Sequence, residues 1–159
     1  MEIVYNRGDL LESTADIIGH QTNCSGAFGG GVAGQIREKW PRVYEQYKLA
    51  YATSKAILGS VQIVKTNPNE NNNRIVANLF GQEKFGNDGN KYTSYDGLDM
   101  SLRKLCKWMI NNGATSVAFP YKLGCGLGGG EWDIVLAIIK SAFRDSNITI
   151  EIWALQAED

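Results

Sequence analysis

The sequence predicts an α/β fold built on a mixed, largely parallel sheet of about six strands. Three observations carry that expectation. Short strand-like runs alternate with helical patterns along the chain, and strands interleaved with helices of about 10–15 residues argue for a parallel sheet. One pair of strands is separated instead by polar turn material, Thr66-Asn67-Pro68-Asn69-Glu70-Asn71-Asn72-Asn73, which reads as an exposed hairpin loop and makes the sheet mixed. Finally, 159 residues with 43% apolar and 21% charged side chains are enough to bury a core without disulfide or metal staples. The expected organisation is one domain over residues 1–159.

The strands are expected at Ile3–Tyr5, Ile17–His20, Val61–Val64, Ile75–Phe80, Val117–Phe119 and Ile148–Trp153. Between them, Val32, Ile36 and Trp40 recur at a spacing of four. Pro41 then interrupts that helix or opens the next, which runs on through Val43 and Tyr47. Leu98, Leu102, Leu105 and Met109 form a second kind of stripe, and Trp132, Val135, Leu136, Ile139 and Phe143 another. Each covers about 100° of a helix surface and gives the core one face. Lys39, Arg103, Lys107 and Lys140 are expected on the solvent side.

Composition excludes several classes. Sixteen basic and 17 acidic residues give a net charge of −1. A chain that wraps nucleic acid shows a basic surplus or stripe, so free nucleic acid is not an expected partner. No apolar run approaches the roughly 20 residues of a spanning helix, and Met1–Tyr5 has no signal-peptide core; no membrane partner is expected. Three cysteines without a signal sequence fit a reducing, cytoplasmic setting. With one histidine in the chain, no zinc spacing exists, and neither a metal nor a cofactor is expected.

The 18 glycines are the positive clue. After Ile17–His20 the chain reads Gln21-Thr22-Asn23-Cys24-Ser25-Gly26-Ala27-Phe28-Gly29-Gly30-Gly31-Val32 and enters a helix. Glycines there admit a ligand close to the backbone, and the first N–H groups of the helix point at it, a ready anion site. After Val117–Phe119 the design repeats, as Pro120-Tyr121-Lys122-Leu123-Gly124-Cys125-Gly126-Leu127-Gly128-Gly129-Gly130. Two such loops can clamp a diphosphate from both sides without a field of lysines. The plainer alternative is that glycine merely permits tight turns. Neither loop is a P-loop, and the dinucleotide fingerprint is poorly matched, which disfavours hydride transfer. In open α/β sheets ligands bind beyond the carboxyl ends of the strands, where both loops fall.

At these residues the chain resembles the macro domain family, which binds ADP-ribose. Gly8-Asp9-Leu10-Leu11 is similar to the family segment whose aspartate contacts the adenine amino group. His20-Gln21-Thr22-Asn23 stands where many members have Asn-Ala-Ala-Asn. Gly29-Gly30-Gly31-Val32 resembles the first phosphate loop, and Gly124-Cys125-Gly126-Leu127, with Gly128, the second. The resemblance implies a mixed sheet sandwiched between helices. It also implies ADP-ribose or a derivative as ligand, with nucleic acid entering only as an ADP-ribosylated substrate. Two kinds of member are similar in motif. The yeast ADP-ribose 1''-phosphate phosphatase has a comparable His-x-x-Asn-Cys-x-Gly run, which implies a catalytic role for His20. The terminal ADP-ribose protein glycohydrolase has a similar Gly-Cys-Gly-Leu loop but relies on a lysine and an aspartate. Here Gln82 falls near the lysine position and Gly128 at the aspartate position, with Lys84 loosely alignable.

The expected catalytic residues are therefore His20, as general acid or base, and Asn23, suited to ribose hydroxyls. The expected ligand contacts are Asp9, Leu10, Gly29, Gly30, Gly31, Val32, Gly124, Cys125, Gly126, Leu127 and Gly128. The favoured activity is hydrolysis of ADP-ribose 1''-phosphate. The alternatives are hydrolysis of ADP-ribosyl conjugates of protein or nucleic acid, and binding without chemistry. Each residue also has a plainer role: Asp9 as the cap of a short turn, Asn23 as a stabiliser of its own loop, His20 as a structural histidine whose titration falls near neutrality. Phe28 and Phe80 can meet a ligand, with core packing as the default. Cys24 and Cys125 read as packing residues. Asp88, Asp96 and Asp133 are the candidate acidic partners of His20. The polar run Phe85–Tyr92 reads as a loop at the cleft mouth.

Overall fold

The computed structural model describes residues 1–86, 88 and 90–155. Asn87 and Gly89, within the run expected as a cleft-mouth loop, and residues 156–159 lie outside the described residues. In chain order the elements are β1 (Glu2–Arg7), a 3₁₀ turn (Leu10–Glu12), β2 (Ile17–Asn23), α1 (Gly31–Lys39), α2 (Pro41–Ala52), β3 (Val61–Lys65), β4 (Ile75–Gln82), α3 (Tyr95–Asn112), β5 (Ser116–Pro120), α4 (Trp132–Phe143) and β6 (Thr149–Ala154). The strands form one sheet in the order β1-β6-β5-β2-β4-β3. All neighbours are parallel except β3, which pairs antiparallel with β4 across the Asn-rich turn.

The alternation of strand side chains divides the core into two layers. Ile17, Leu79, Val117, Phe119 and Ile150 pack with the buried stripes of α3 and α4. Ile18, Val76, Phe80 and Ala118 pack with α1, α2 and the 3₁₀ turn. A sheet apolar on both faces needs helices on both, and the stripes supply them. Lys39, Arg103, Lys107 and Lys140 are exposed. Pro41 opens α2 rather than breaking α1, and Trp40 is buried between the two helices. Ser94 caps α3 by accepting from the Gly97 N–H, and Gly113, with φ of 73°, ends it in the left-handed conformation that glycine adopts freely.

β2 runs three residues beyond its expected end. Gln21, Thr22 and Asn23 read as loop because they are polar, but β4 continues beside them. Gln21 pairs with Leu79, Thr22 with Phe80 and, after an irregularity, Asn23 with Gln82. Parallel pairing brings the carboxyl ends of β1, β2, β4, β5 and β6 to one edge. The segments 8–9, 24–30 and 121–131 converge there, together with residues 83–86, 88 and 90–94.

Candidate functional site

Two adjoining cavities open at that edge. The larger, of about 700 Å³, is lined by His20, Gln21 and Asn23 of β2, by Gln82 of β4 and by both glycine loops. The smaller, of about 260 Å³, is lined by Asp9, Leu10 and Trp153. Val32, Pro120, Tyr121 and Lys122 belong to both walls, so the two make one cleft running from Asp9 to His20.

In the first loop Gly29, Gly30, Gly31 and Val32 all line the larger cavity. The Gly30 cap of α1 has no side-chain hydrogen bond, so the first N–H groups of the helix are left for whatever enters. A Cβ on Gly29 or Gly31 would meet nothing within 4 Å, and one on Gly30 would lie 3.2 Å from Leu127 Cδ1. The tip of the second loop thus touches the first across the cleft.

The second loop departs from the expected repeat of this design. Gly124, Gly126, Leu127 and Gly128 line the cavity, but no residue of α4 does. Its backbone folds on itself: the N–H groups of Leu123, Cys125, Gly129 and Gly130 donate to the carbonyls of Pro120, Lys122, Gly126 and Gly124. A Cβ on Gly128 would stand 2.5 Å from Thr93 Oγ1 and 2.7 Å from the Gly124 carbonyl oxygen, and one on Gly129 2.6 Å from the Asn90 carbonyl oxygen. These glycines let the loop dock on the β4–α3 segment. Of the second-loop set, Cys125 is the one that the structure does not bring to the cavity wall. Its thiol packs against the α3–α4 layer, and burial pushes it up to about 11. Burial, helped by Glu83, also pushes the Cys24 thiol up to about 11. Neither is an activated nucleophile.

His20 lines the cavity with only 2% of its surface exposed. Phe28 meets its ring edge-on at 5.4 Å between centroids. Its polar partner is not an aspartate: Nε2 lies 2.6 Å from Asn78 Oδ1, a residue paired with it in register across β2 and β4. Asp88 instead accepts hydrogen bonds from the Tyr92 hydroxyl and from Asn90, Asp96 lines another cavity, and Asp133 sits in the first turn of α4. Burial lowers the His20 pKa to about 4, with the Asn78 bond opposing the shift. The imidazole is therefore neutral at physiological pH, and its titration falls well below the neutral range expected from sequence.

Asn23 holds its own loop. Its Oδ1 accepts from the Ser25 and Ala27 N–H groups and from the Tyr47 hydroxyl, and its Nδ2 donates to the Ala27 carbonyl. Tyr47 is buried, and desolvation pushes its phenol up to about 12, so it acts here as a neutral donor. At the far end, Asp9 Oδ1 accepts from the Leu11 N–H and caps the 3₁₀ turn, which leaves Oδ2 without a partner among the described residues. Phe28 and Phe80 are both core, at 3% and 1% exposure; the aromatic that lines the cavity from the β4–α3 segment is the exposed Phe85.

Sequence reasoning assigned no role to three residues here. Lys122 stands in both cavity walls and has φ of 61°; a lysine held in the left-handed region is a costly conformation at a functional edge. Asn78 and Gln62 carry polar groups in otherwise apolar strand runs, a signal that could have found them. Lys84 is exposed and lines a separate cavity of about 550 Å³ with Lys91 and Asp96. Gln82 faces the main cleft and accepts a bond from Gln21 Nε2 at 2.7 Å. Among the described residues no helix is long and apolar enough to cross a membrane.

The sequence matches the Macro domain family over residues 20–139. It is 28% identical over 142 residues to a DNA ADP-ribosyl glycohydrolase of Mycobacterium tuberculosis, a match that covers 89% of this chain and 39% of that protein. It is 27% identical over 150 residues to an ADP-ribose 1''-phosphate phosphatase of Lodderomyces elongisporus, covering 87% of this chain and 91% of that one. Among solved structures, the macrodomain of Mycobacterium tuberculosis DarG superposes with a TM-score of 0.83 at 25% identity, over 95% of this chain and 96% of that one. The chain thus spans well under half of the mycobacterial glycohydrolase and nearly all of the yeast phosphatase.

Proposed function

The chain belongs to the macro domain family, and from that premise we propose that its cleft binds ADP-ribose and hydrolyses an ADP-ribose derivative. Removal of phosphate from ADP-ribose 1''-phosphate is the reaction we favour. The observation that carries this reading is the continuous cleft with chemically distinct ends, Asp9 at one and His20 at the other. Adenine sits against Asp9 and Leu10, with Asp9 Oδ2 taking the exocyclic amine. The diphosphate lies between Gly29–Val32 and the second loop, where Gly124, Gly126, Leu127 and Gly128 line the wall and Cys125 contributes backbone alone. Lys122 supplies one cation, and the α1 terminus a partial positive charge. The distal ribose then reaches Asn23 and His20.

In this scheme water gives a proton to the neutral His20 ring as its oxygen joins phosphorus. The bond from phosphorus to the 1''-oxygen breaks, and that oxygen takes up a proton from solvent water to become the ADP-ribose hydroxyl. His20 returns its own proton to solvent, so that ADP-ribose and inorganic phosphate leave the imidazole neutral again. Loop N–H groups stabilise the developing charge. A lysine-based glycohydrolase route is less well supported, because Gln82 stands where that route needs a lysine, Lys84 lies outside the cleft, and Gly128 supplies no carboxylate. One observation favours a second reading, binding without turnover: His20 is a weak base with an amide, not a carboxylate, beside it.

Phosphate release from ADP-ribose 1''-phosphate at neutral pH, set beside calorimetric binding of ADP-ribose, separates the readings. Turnover should fall on the order of 10²–10⁴-fold in His20→Ala with little change in ADP-ribose affinity. Binding without phosphate release in the wild type would leave the protein a reader. Release of ADP-ribose from a conjugated protein or DNA end, without phosphatase activity, would move the substrate to the conjugates. Full activity in a folded His20→Ala variant would move the chemistry away from His20.

A further inference from the structure

His20, Asn78 and Gln62 form a row across three adjacent strands. Asn78 pairs in register with His20 on one side and with Gln62 on the other. Gln62 Nε2 donates to the Gln46 carbonyl of α2 at 2.9 Å, Asn78 Nδ2 donates to Gln62 Oε1 at 3.0 Å, and Asn78 Oδ1 lies 2.6 Å from His20 Nε2. One fixed group orients the whole chain. A backbone carbonyl only accepts, so Gln62 must turn its amide nitrogen to Gln46 and its oxygen to Asn78. Asn78 must then turn its nitrogen to Gln62 and its oxygen to His20. The histidine nitrogen facing that oxygen must be the one carrying hydrogen. Asn78 is fully buried and His20 nearly so, so solvent does not compete for the bond between them, while Gln62 is half-buried and carries the row out to α2.

We infer that Asn78 and Gln62 are positioning residues that hold His20 in the Nε2–H tautomer and leave Nδ1 as the nitrogen that accepts a proton in the reaction. The inference rests on the proposed hydrolysis for what Nδ1 does, but not for which nitrogen carries hydrogen. A proton accepted at Nδ1 produces an imidazolium whose Nε2–H still has Asn78 Oδ1 as acceptor, so the same amide serves both states. Among the described residues the polar partner of His20 is thus the Asn78 amide of this row and not a carboxylate.

Because His20 is the sole histidine, long-range ¹H–¹⁵N correlation spectra of the uniformly labelled full chain report on it alone. At neutral pH the wild type should show a pyrrole-type Nε2 and a pyridine-type Nδ1. ADP-ribose addition should shift the Nδ1 resonance more than the Nε2 resonance. A pyrrole-type Nδ1, or a ligand response confined to Nε2, would overturn the inference whether or not the protein is an enzyme. Gln62→Leu frees the Asn78 amide to reverse and should mix the two tautomers. With ADP-ribose 1''-phosphate, Asn78→Leu should lower kcat at least roughly tenfold but by less than loss of the base itself, which is on the order of 10²–10⁴-fold, while KM stays within about threefold. Asn78→Asp, which keeps an acceptor at the same place, should retain the Nε2–H form and recover most of kcat. A fall confined to KM, or unsplit ¹⁵N signals in the folded wild type, would also contradict it. An absence of phosphatase activity beside the expected spectra removes the reaction and leaves the tautomer assignment standing.

Discussion

The two glycine-rich loops follow neighbouring parallel strands, β2 and β5, and both line one cavity, yet their glycines answer different needs. In the first loop the missing Cβ atoms of Gly29 and Gly31 would project into open space, and the helix that follows presents its N-terminus to the cleft. In the second, Gly126 is the comparable open position, while Gly128, Gly129 and Gly130 are pressed against Thr93, Asn90 and the Gly124 carbonyl. The first loop leaves open cleft space beside its glycines. The second is shaped mainly to dock on the β4–α3 segment, and it reaches the cleft at its tip, from Gly126 to Gly128. Similar composition after similar strands therefore does not imply similar work: glycine is selected both by what must come near and by what already is.

The floor of the first loop should be the acid-sensitive part of this contrast. His20 packs on Phe28 of that loop and has a folded pKa of about 4 against an ordinary value of 6.5. The folded state binds the proton less well than the unfolded one. The stability contribution is complete above about pH 6.5 and is lost as pH falls toward 4, up to about 3 kcal/mol. Denaturant unfolding at pH 7.5, 5.5 and 4, compared with a His20→Gln variant, reads this directly; parallel curves for the two proteins would contradict it.

Next in size, Gly129→Ala puts a Cβ 2.6 Å from the Asn90 carbonyl oxygen at a φ of 73°. It should cost about 2–3 kcal/mol and roughly 4–12 °C in Tm. An unchanged melting temperature would erase the distinction between the loops. Asp9→Ala should weaken ADP-ribose binding by about 1–3 kcal/mol, with a smaller loss of stability from the missing turn cap; unchanged affinity would leave Asp9 a cap alone. Smallest of all, Gly29→Ala and Gly126→Ala should leave stability within about 0.5 kcal/mol while lowering ADP-ribose affinity. If either variant melts like Gly129→Ala, its open space is not a ligand space.

Much of this was legible in the sequence because local pattern determines it. The stripe of Leu98, Leu102 and Leu105, which steps by four and three, and the Asn-rich break before Ile75 fix one buried helix face and one hairpin with no long-range information. The glycine runs likewise announced their own positions at the strand ends. What was not legible depends on pairing between residues far apart in the chain. Asn78 meets His20 through strand register, 58 positions away, and Gly128 is constrained by Thr93 of another loop. The polar Gln21-Thr22-Asn23 reads as loop until β4 is known to lie beside it. Cys125 occupies a ligand-loop position by alignment, but its thiol is drawn to the apolar layer under α4.

The central claim, that the open glycines and not the packed ones make the ligand site, is tested most directly by titrating ADP-ribose calorimetrically into the wild type and into Gly30→Glu. That substitution places bulk and negative charge in the cleft beside Leu127, whose Cδ1 would lie 3.2 Å from a Cβ at Gly30. The account predicts saturable one-to-one binding to the wild type and loss of that binding in a variant that still melts cooperatively near the parent temperature. Equal affinity in the two folded proteins, or no binding to the wild type, would contradict it.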